Sequence, residues 1–321
     1  MTKVALVIVY NHQYNKNIEI LEQIYKDRFS DIYHLVPFYN GDKSNVIPVY
    51  DSSFYFQGYI AQGLKSFFKE KYEHYFFIAD DLILNPIINE RNYCEHLKLG
   101  KNTCFLPGFI TLHDRNEWWS KTIYAADYTA NCDGVEAQNQ LPSYKVFSTA
   151  FQHFGIEIKP IGFDKIWKKP VSIRDFGRTI IRDRFYFFRK IKNKITKKQY
   201  GLAYPLVGSY SDIFVVSSDS IKQFCHYCGV FAATKLFVEI GLPTSLVLSA
   251  QEIITEKDLE LQGKALWPDG WGRLTGDLKL ARGDYDELKS YGNNLNDFLN
   301  NFPKDYLYLH PIKLSKWNTK L

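Results

Sequence analysis

The run His74-Tyr75-Phe76-Phe77-Ile78-Ala79-Asp80-Asp81-Leu82-Ile83-Leu84-Asn85-Pro86 decides the fold. Residues Tyr75 to Ala79 are continuously apolar or aromatic, the pattern of a strand buried on both faces. Two carboxylates follow at once. Unpaired carboxylates are costly to desolvate, so they belong at the strand's exit, where water, a metal or a ligand meets them. In an open α/β sheet that exit borders the crevice in which ligands bind. A hard divalent cation such as Mg²⁺ or Mn²⁺ takes oxygen ligands and often bridges carboxylates to phosphates. Two readings stand side by side: a metal–diphosphate site, or Asp80 capping the next turn with Asp81 merely solvated.

Upstream of this strand the pattern repeats. Val4 to Tyr10 reads as a buried first strand, with Asn11-His12 in a ligand-facing loop. Asn15 to Arg28 reads as a helix with Ile18, Leu21, Ile24 and Tyr25 on one stripe. Asp31 to Phe38 is a second strand and Val46 to Tyr50 a third. Asp51 or Ser52 can cap a helix from about Ser53 to Lys71. Alternating strands and helices predict an α/β fold, a mostly parallel sheet with flanking helices.

The chain has 321 residues, 45% hydrophobic and 17% aromatic, enough for a filled core in one large domain or two modest ones. A charged fraction of 23% excludes wholesale disorder, and a net charge of +5 does not by itself argue for nucleic acid. The cysteines are Cys94, Cys104, Cys132, Cys225 and Cys228, an odd count with no disulfide spacing, which points to a reducing compartment. Cys225-His226-Tyr227-Cys228 lacks the second pair a zinc site wants, so core packing is expected there. The apolar start lacks the flanks of a secretory signal, and no apolar run reaches the roughly 18–20 residues that span a bilayer. The expectation is a soluble or peripheral protein in the cytoplasm.

Downstream, Trp118, Trp119, Tyr124 and Tyr128 form an aromatic patch, read as core or pocket wall with a few rings free to stack on a base or sugar. Between Arg182 and Lys198, eight basic residues interleave with Phe185, Phe188, Ile191 and Ile195, which can share one helical face. Such a helix reads as membrane-surface binding, as a solvated helix packed on the body, or as a grip on an anionic ligand. No nucleic-acid motif accompanies it. Asp212 stands near the start of a strand ending at Val216. Ser218 or Asp219 can cap the helix after it. Glu239 is flanked by apolar residues, and burial raises a carboxyl pKa toward that of a general base, though pairing with an Arg or a backbone cap explains it equally well. Trp267-Pro268-Asp269-Gly270-Trp271-Gly272 reads as a stiff aromatic turn. The chain closes on Tyr306 to Trp317, with His310, Lys313 and Lys316 in it.

This arrangement resembles glycosyltransferases of the GT-A fold, the nucleotide-sugar-dependent class. The likeness lies in an N-terminal α/β half ending in the acidic pair, isolated acids in the second half, and a late His. In that class the pair belongs to a "DxD" motif that holds a divalent cation against the sugar-nucleotide diphosphate. In several retaining families a late His completes the metal shell within His-x-x-Gly-x-x-Lys-Pro-Trp. His310, Lys313, Lys316 and Trp317 are similar in outline, without the Gly and Pro. The acids here are adjacent rather than two apart, and adjacent strand side chains point to opposite faces.

The resemblance implies one GT-A-type domain over 1–321. Residues 1–150 would be the nucleotide-sugar-binding half, 170–200 a basic helical insertion, and 201–321 the acceptor-binding half with a metal-binding tail. Asp81 and His310 would ligate Mn²⁺ or Mg²⁺, with Asp80 on the ribose or a coordinated water. Tyr10 and Asn11 would lie at the nucleotide, and Lys313 or Lys316 would meet the diphosphate. Glu239, then Asp212, are the candidate bases. The implied activity is transfer of a sugar from a nucleotide-diphosphate donor, a UDP-sugar first, to a hydroxyl of a glycan or lipid-linked acceptor. That suits cell-surface polysaccharide or lipopolysaccharide biosynthesis at the inner face of the plasma membrane, with residues 182–198 as the peripheral contact. A metal-dependent nucleotidyltransferase and a non-catalytic carbohydrate-binding protein are the alternatives. The first normally carries a Gly-rich basic loop that Val9-Tyr10-Asn11-His12-Gln13 does not show. The second leaves the acid pair unexplained.

Overall fold

The structure is a computed structural model describing residues 4–113, 122, 125–126, 128–162, 177, 188, 191–192, 195–196, 201–266, 281–283 and 285–320. The aromatics Trp118, Trp119 and Tyr124, most of the basic stretch 170–200, and the turn at Trp267 to Gly272 lie outside the described residues.

Eleven strands are described: β1 Val4–Val9, β2 Ile32–Pro37, β3 Val46–Val49, β4 His74–Ala79, β5 Ile83–Leu84, β6 Thr103–Phe105, β7 Ile213–Ser217, β8 Glu252–Ile254, β9 Gln262–Leu266, β10 Ala281–Gly283 and β11 Tyr306–His310. The described helices are α1 Asn15–Tyr25, α2 Gln57–Phe67, α3 Tyr93–His96, α4 Tyr144–His153, α5 Ile221–Ala233, α6 Val238–Ser249 and α7 Leu295–Asn300.

Seven strands form the main sheet in the order β3-β2-β1-β4-β7-β6-β8. Strands β1 to β4 run parallel, β7 runs antiparallel to both β4 and β6, and β8 is parallel to β6. The α/β architecture is the expected one. Its two faces are both buried, which is why β1 and β4 read as unbroken apolar runs. Val4, Leu6, Ile8, Phe76 and Ile78 pack on one side with α1. Ala5, Val7, Val9, Tyr75 and Phe77 pack on the other with α2 and α5. Alternation is present, but polarity does not report it.

The expected stripe of α1 is the buried one: Ile18, Leu21, Ile24 and Tyr25 face the sheet. The expected helix from Ser53 starts as a 3₁₀ turn, with the Ser52 hydroxyl accepting from the Phe54 N–H at 3.3 Å, and continues as α2. The helix after β7 begins at Ile221, behind Ser220 rather than at Ser218 or Asp219. Cys225 and Cys228 lie buried in α5 and all five cysteines are free. Among the described residues no helix is long and apolar enough to cross a membrane.

A second sheet, β10-β9-β11-β5, was not foreseen from the sequence. Its strands are two to five residues long, and two of them flank the candidate site. The short β5 follows the acids by one residue and pairs antiparallel with β11, Leu309 beside Ile83 and Tyr308 beside Leu84. Arg28 secures the segment after β5, donating to the carbonyls of Asn85 (2.6 Å) and Ile88 (2.9 Å).

Candidate functional site

Chain order turns around at β1: β2 and β3 lie on one side of it and β4 on the other. The carboxyl ends of β1 and β4 therefore flank a topological switch point, where open α/β sheets bind ligands. Asn11 leaves one strand there and Asp80-Asp81 leave the other.

The two acids part company, as adjacent side chains on an extended chain must. The Asp80 N–H still bonds Val9 O at 3.0 Å, so the sheet register carries through it. The Asp80 side chain turns inward and the residue is 3% exposed. It accepts from Asn17 Nδ2 at 3.1 Å and from the Asn11 N–H at 3.5 Å. Burial, then the neighbouring charge of Asp81, pushes its pKa up to about 7. The expected contact of Asp80 with a ribose or a bound water is thus corrected, because its carboxylate is enclosed by protein donors.

Asp81 is partly exposed, its side chain 13% accessible. Its Oδ1 accepts from His310 Nε2 at 2.9 Å and its Oδ2 from Lys313 Nζ at 2.5 Å. Burial opposes ionisation, but His310 and Lys313 outweigh it and hold Asp81 well below the usual carboxylate range. The tail is delivered by the second sheet. After β11 turns away from β5, the Ile312 N–H bonds Asp81 O at 2.6 Å, which sets His310 and Lys313 on either side of the acid.

Asp212 joins them because β7 runs against β4, so its beginning lies at β4's end. The Ala79 N–H bonds Asp212 O at 2.8 Å, and Asp212 Oδ1 stands 3.9 Å from His310 Nε2. Burial raises the Asp212 pKa; His310 acts against that and Asp81 with it. Burial works against a charged His310, yet Asp81 and Asp212 prevail and raise its pKa.

The structure therefore brings Asp81, Asp212, His310 and Lys313 together, with Asp80 one layer behind. Glu239 lies in the first turn of α6, partly exposed, close enough for its charge to raise the Tyr210 phenol's pKa behind the dominant effect of burial. Of the two candidate bases, Asp212 is the one against His310. The Tyr10 ring is fully buried and its hydroxyl engages His34 Nδ1 at 2.9 Å, so its side chain does not reach the crevice. Lys316 is exposed on a 3₁₀ turn, and the lysine on Asp81 is Lys313.

Among the described residues, no set of three or more His, Cys, Asp or Glu side chains is already arranged around a metal position. The 2.9 Å contact between Asp81 Oδ1 and His310 Nε2 is a hydrogen bond, so the two atoms share a proton, and Asp81 Oδ2 is taken by Lys313 Nζ. Once that proton is released, the pair is the mixed oxygen and imidazole set that Mn²⁺ accepts.

Exposed rings lie along the same edge of the sheet. Tyr14, Phe38 and Tyr50 follow β1, β2 and β3 and are 49%, 58% and 61% exposed. Phe38 and Tyr50 meet edge to face at 5.8 Å, and Gln13 Nε2 donates to Phe38 O at 2.9 Å. Phe38 holds φ at 53°, a left-handed conformation costly for a bulky residue and frequent at functional sites. Tyr14 lies near enough to Lys313 to contribute to raising its pKa, behind Asp81 and against burial.

No protein-family model matches the sequence, and no curated protein matches it. Several solved chains do, among them the apo structure of WbbM, a bifunctional glycosyltransferase. That likeness has 11% identity and a TM-score of 0.39, and covers 96% of this chain and 45% of that one. This chain spans less than half the length of that protein. So distant a match adds nothing to the reading of the site, which stands on its geometry.

Four contributors were missed. Asn17 sits beside the apolar stripe of α1, and a buried amide there was the available signal. Tyr210 engages His310 Nδ1, and Tyr308 donates to Glu256 Oε1 at 2.8 Å. These belong to long-range packing that no local spacing announces.

Proposed function

We propose that this chain is a glycosyltransferase that moves a sugar from a nucleotide-diphosphate donor, a UDP-sugar first, to a hydroxyl acceptor. The observation that carries this is Asp81 at the switch-point crevice, held between His310 and Lys313 with Asp212 beside them. The four groups offer two positive or proton-donating ends and two acids within one site. That combination suits a reaction that sheds an anionic leaving group and takes a proton from a nucleophile.

The acceptor oxygen bonds to the anomeric carbon as that carbon's bond to the β-phosphate oxygen breaks. The electron pair leaves on the diphosphate, where Lys313 meets the new charge. The hydroxyl proton passes to a carboxylate. Asp212 suits this role, because burial raises its proton affinity. Glu239 is the second carboxylate within electrostatic range of the site. A divalent cation, held by Asp81 and His310, would supply Lewis-acid stabilisation of the leaving diphosphate. Asp80, behind the sheet edge, tethers Asn17 and Asn11 and so fixes the strand exits. The exposed rings of Phe38, Tyr50 and Tyr14 supply a face on which a nucleobase can stack.

The acceptor is proposed as a glycan or lipid-linked hydroxyl presented at an anionic membrane surface. Eight basic residues between Arg182 and Lys198 support this, as do the exposed Phe188, Ile191 and Ile195.

The test is a panel of nucleotide sugars incubated with the protein and Mn²⁺, monitored for release of nucleoside diphosphate. Release from at least one donor, lost in Asp81→Ala, is expected. Release from none, across uridine, guanosine, cytidine and thymidine donors, refutes the proposal.

A further inference from the structure

One buried polar group at the sheet's carboxyl edge has no use in the chemistry above. Ser211 lies one residue ahead of Asp212, is 2% exposed, and its Oγ has no hydrogen-bond partner. It lines a small slot between the ends of β1 and β4 and the start of β7. Asn11 is the slot's other polar residue, and the remaining walls are apolar. The slot is too narrow for a water molecule, so the hydroxyl stays dry. The Asn11 N–H reaches Asp80 at 3.5 Å, while no described residue engages its side-chain amide.

A buried hydroxyl without a partner costs stability, and an alanine of nearly the same shape would avoid that cost. In a native fold each such group asks for an explanation. Position supplies one. Ala79, in the slot's wall, is two residues from Asp81, and Ser211 is one residue from Asp212. In the transfer proposed above, the anomeric carbon sits between the diphosphate at Lys313 and the base Asp212. The ring carried by that carbon is then the part of the donor nearest the slot. The nucleobase lies farther out along the sheet edge, at Phe38 and Tyr50.

We propose that Ser211 and Asn11 form a specificity subsite that takes a hydroxyl group of the transferred sugar. The inference rests on the transferase reading of the site given above. The sugar hydroxyl gives Ser211 Oγ the partner it lacks in the free chain. The Asn11 amide, with donor and acceptor atoms, completes the contact at the partly exposed end. The slot must widen to admit the group. Phe56, between the 3₁₀ turn and α2, is the wall not carried by the sheet's strands or their ends, so that movement falls to Phe56. A polar group built to pair with a substrate hydroxyl also rejects analogues that lack it.

The experiment compares Ser211→Ala with the parent in three readings. These are thermal melting, calorimetric titration of a nucleoside diphosphate, and kcat/KM for one donor. The donor is the one the parent turns over fastest among the uridine, guanosine, cytidine and thymidine nucleotide sugars of the panel above, and the diphosphate is that donor's own. Alanine removes an unsatisfied hydroxyl, so the variant melts at or above the parent's temperature. It binds the diphosphate within about twofold of the parent, since that ligand carries no sugar. Its kcat/KM falls about 3–10-fold, the effect of one uncharged hydrogen bond. A melting temperature clearly below the parent's, or failure to fold, makes the hydroxyl structural and overturns the proposal. So does an unchanged kcat/KM, or a loss of diphosphate affinity as large as the loss in kcat/KM. If the parent turns over no donor, the transferase reading is what fails. Saturation-transfer NMR with free glucose, galactose, N-acetylglucosamine and mannose then judges the subsite alone. Sugar signals present in the parent and lost in Ser211→Ala support it, and signals equal in both proteins, or absent from both, overturn it.

Discussion

Replacing Asp80 by Asn should stabilise the protein at neutral and alkaline pH, although it removes an acid from the layer directly behind the site. The carboxylate is buried and its pKa stands near 7 in the fold, against about 3.9 in an unfolded chain. A folded pKa raised this way gives stability that is complete below about pH 4 and lost as pH rises to about 7. The difference of about three pKa units corresponds to roughly 4 kcal/mol by pH 8, a ceiling because part of it is shared with Asp81. Asparagine keeps an oxygen for Asn17 Nδ2 but turns an amide toward the Asn11 N–H, a loss of about 1 kcal/mol. The net expectation is a gain of about 1–3 kcal/mol at pH 8 that fades to nothing near pH 4.5. Urea unfolding of both proteins at the two pH values measures it. A variant no more stable than the parent at pH 8 refutes the reasoning. So does a gain equally large at pH 4.5.

Other outcomes follow from the same geometry. Asp81→Asn should cost about 1–3 kcal/mol near neutral pH, measured by denaturant titration, since it strips the partner from a buried histidine. Asp81's depressed pKa makes its contribution present above about pH 4 and lost at lower pH. His310's raised pKa makes its own contribution present below about 6.5 and lost as pH climbs through the folded value, so the cost of Asp81→Asn should shrink in alkali. Phe38→Gly should relieve the left-handed backbone and raise stability by about 1 kcal/mol, while calorimetry shows weaker UDP binding by about 1–3 kcal/mol from lost stacking. Deleting residues 182–198 should abolish co-sedimentation with vesicles rich in anionic lipid, given roughly 1 kcal/mol per basic residue at such a surface.

The first half of the fold was legible because its signals are local. β1, β2, β3 and β4 are apolar runs, and α1 shows its stripe in sequence. The divergence of Asp80 and Asp81 followed from strand geometry alone. The meeting of His310 with Asp81 was not written in any spacing near either residue. It entered by resemblance, and in the fold it depends on β5 and β11, strands too short to stand out. Asp212 was identified as an acid near a strand's beginning, but only the antiparallel direction of β7 explains why that beginning lies beside Asp81. Glu239 ranked first as a base because its neighbours are apolar, yet apolar neighbours on a helix report burial of the opposite face as readily as of the acid itself. Tyr210, Tyr308 and Glu256 looked like ordinary core and loop residues, since stacking across some hundred residues of chain leaves no periodic trace.

The central claim is that Asp81, His310 and Lys313 together receive a nucleoside diphosphate. Calorimetric titration of UDP into the parent and Asp81→Ala proteins, each with and without Mn²⁺, addresses it most directly. The account predicts that the parent binds UDP more tightly when Mn²⁺ is present, and that the variant loses this enhancement. UDP binding of equal strength in both proteins, or none in either, contradicts it.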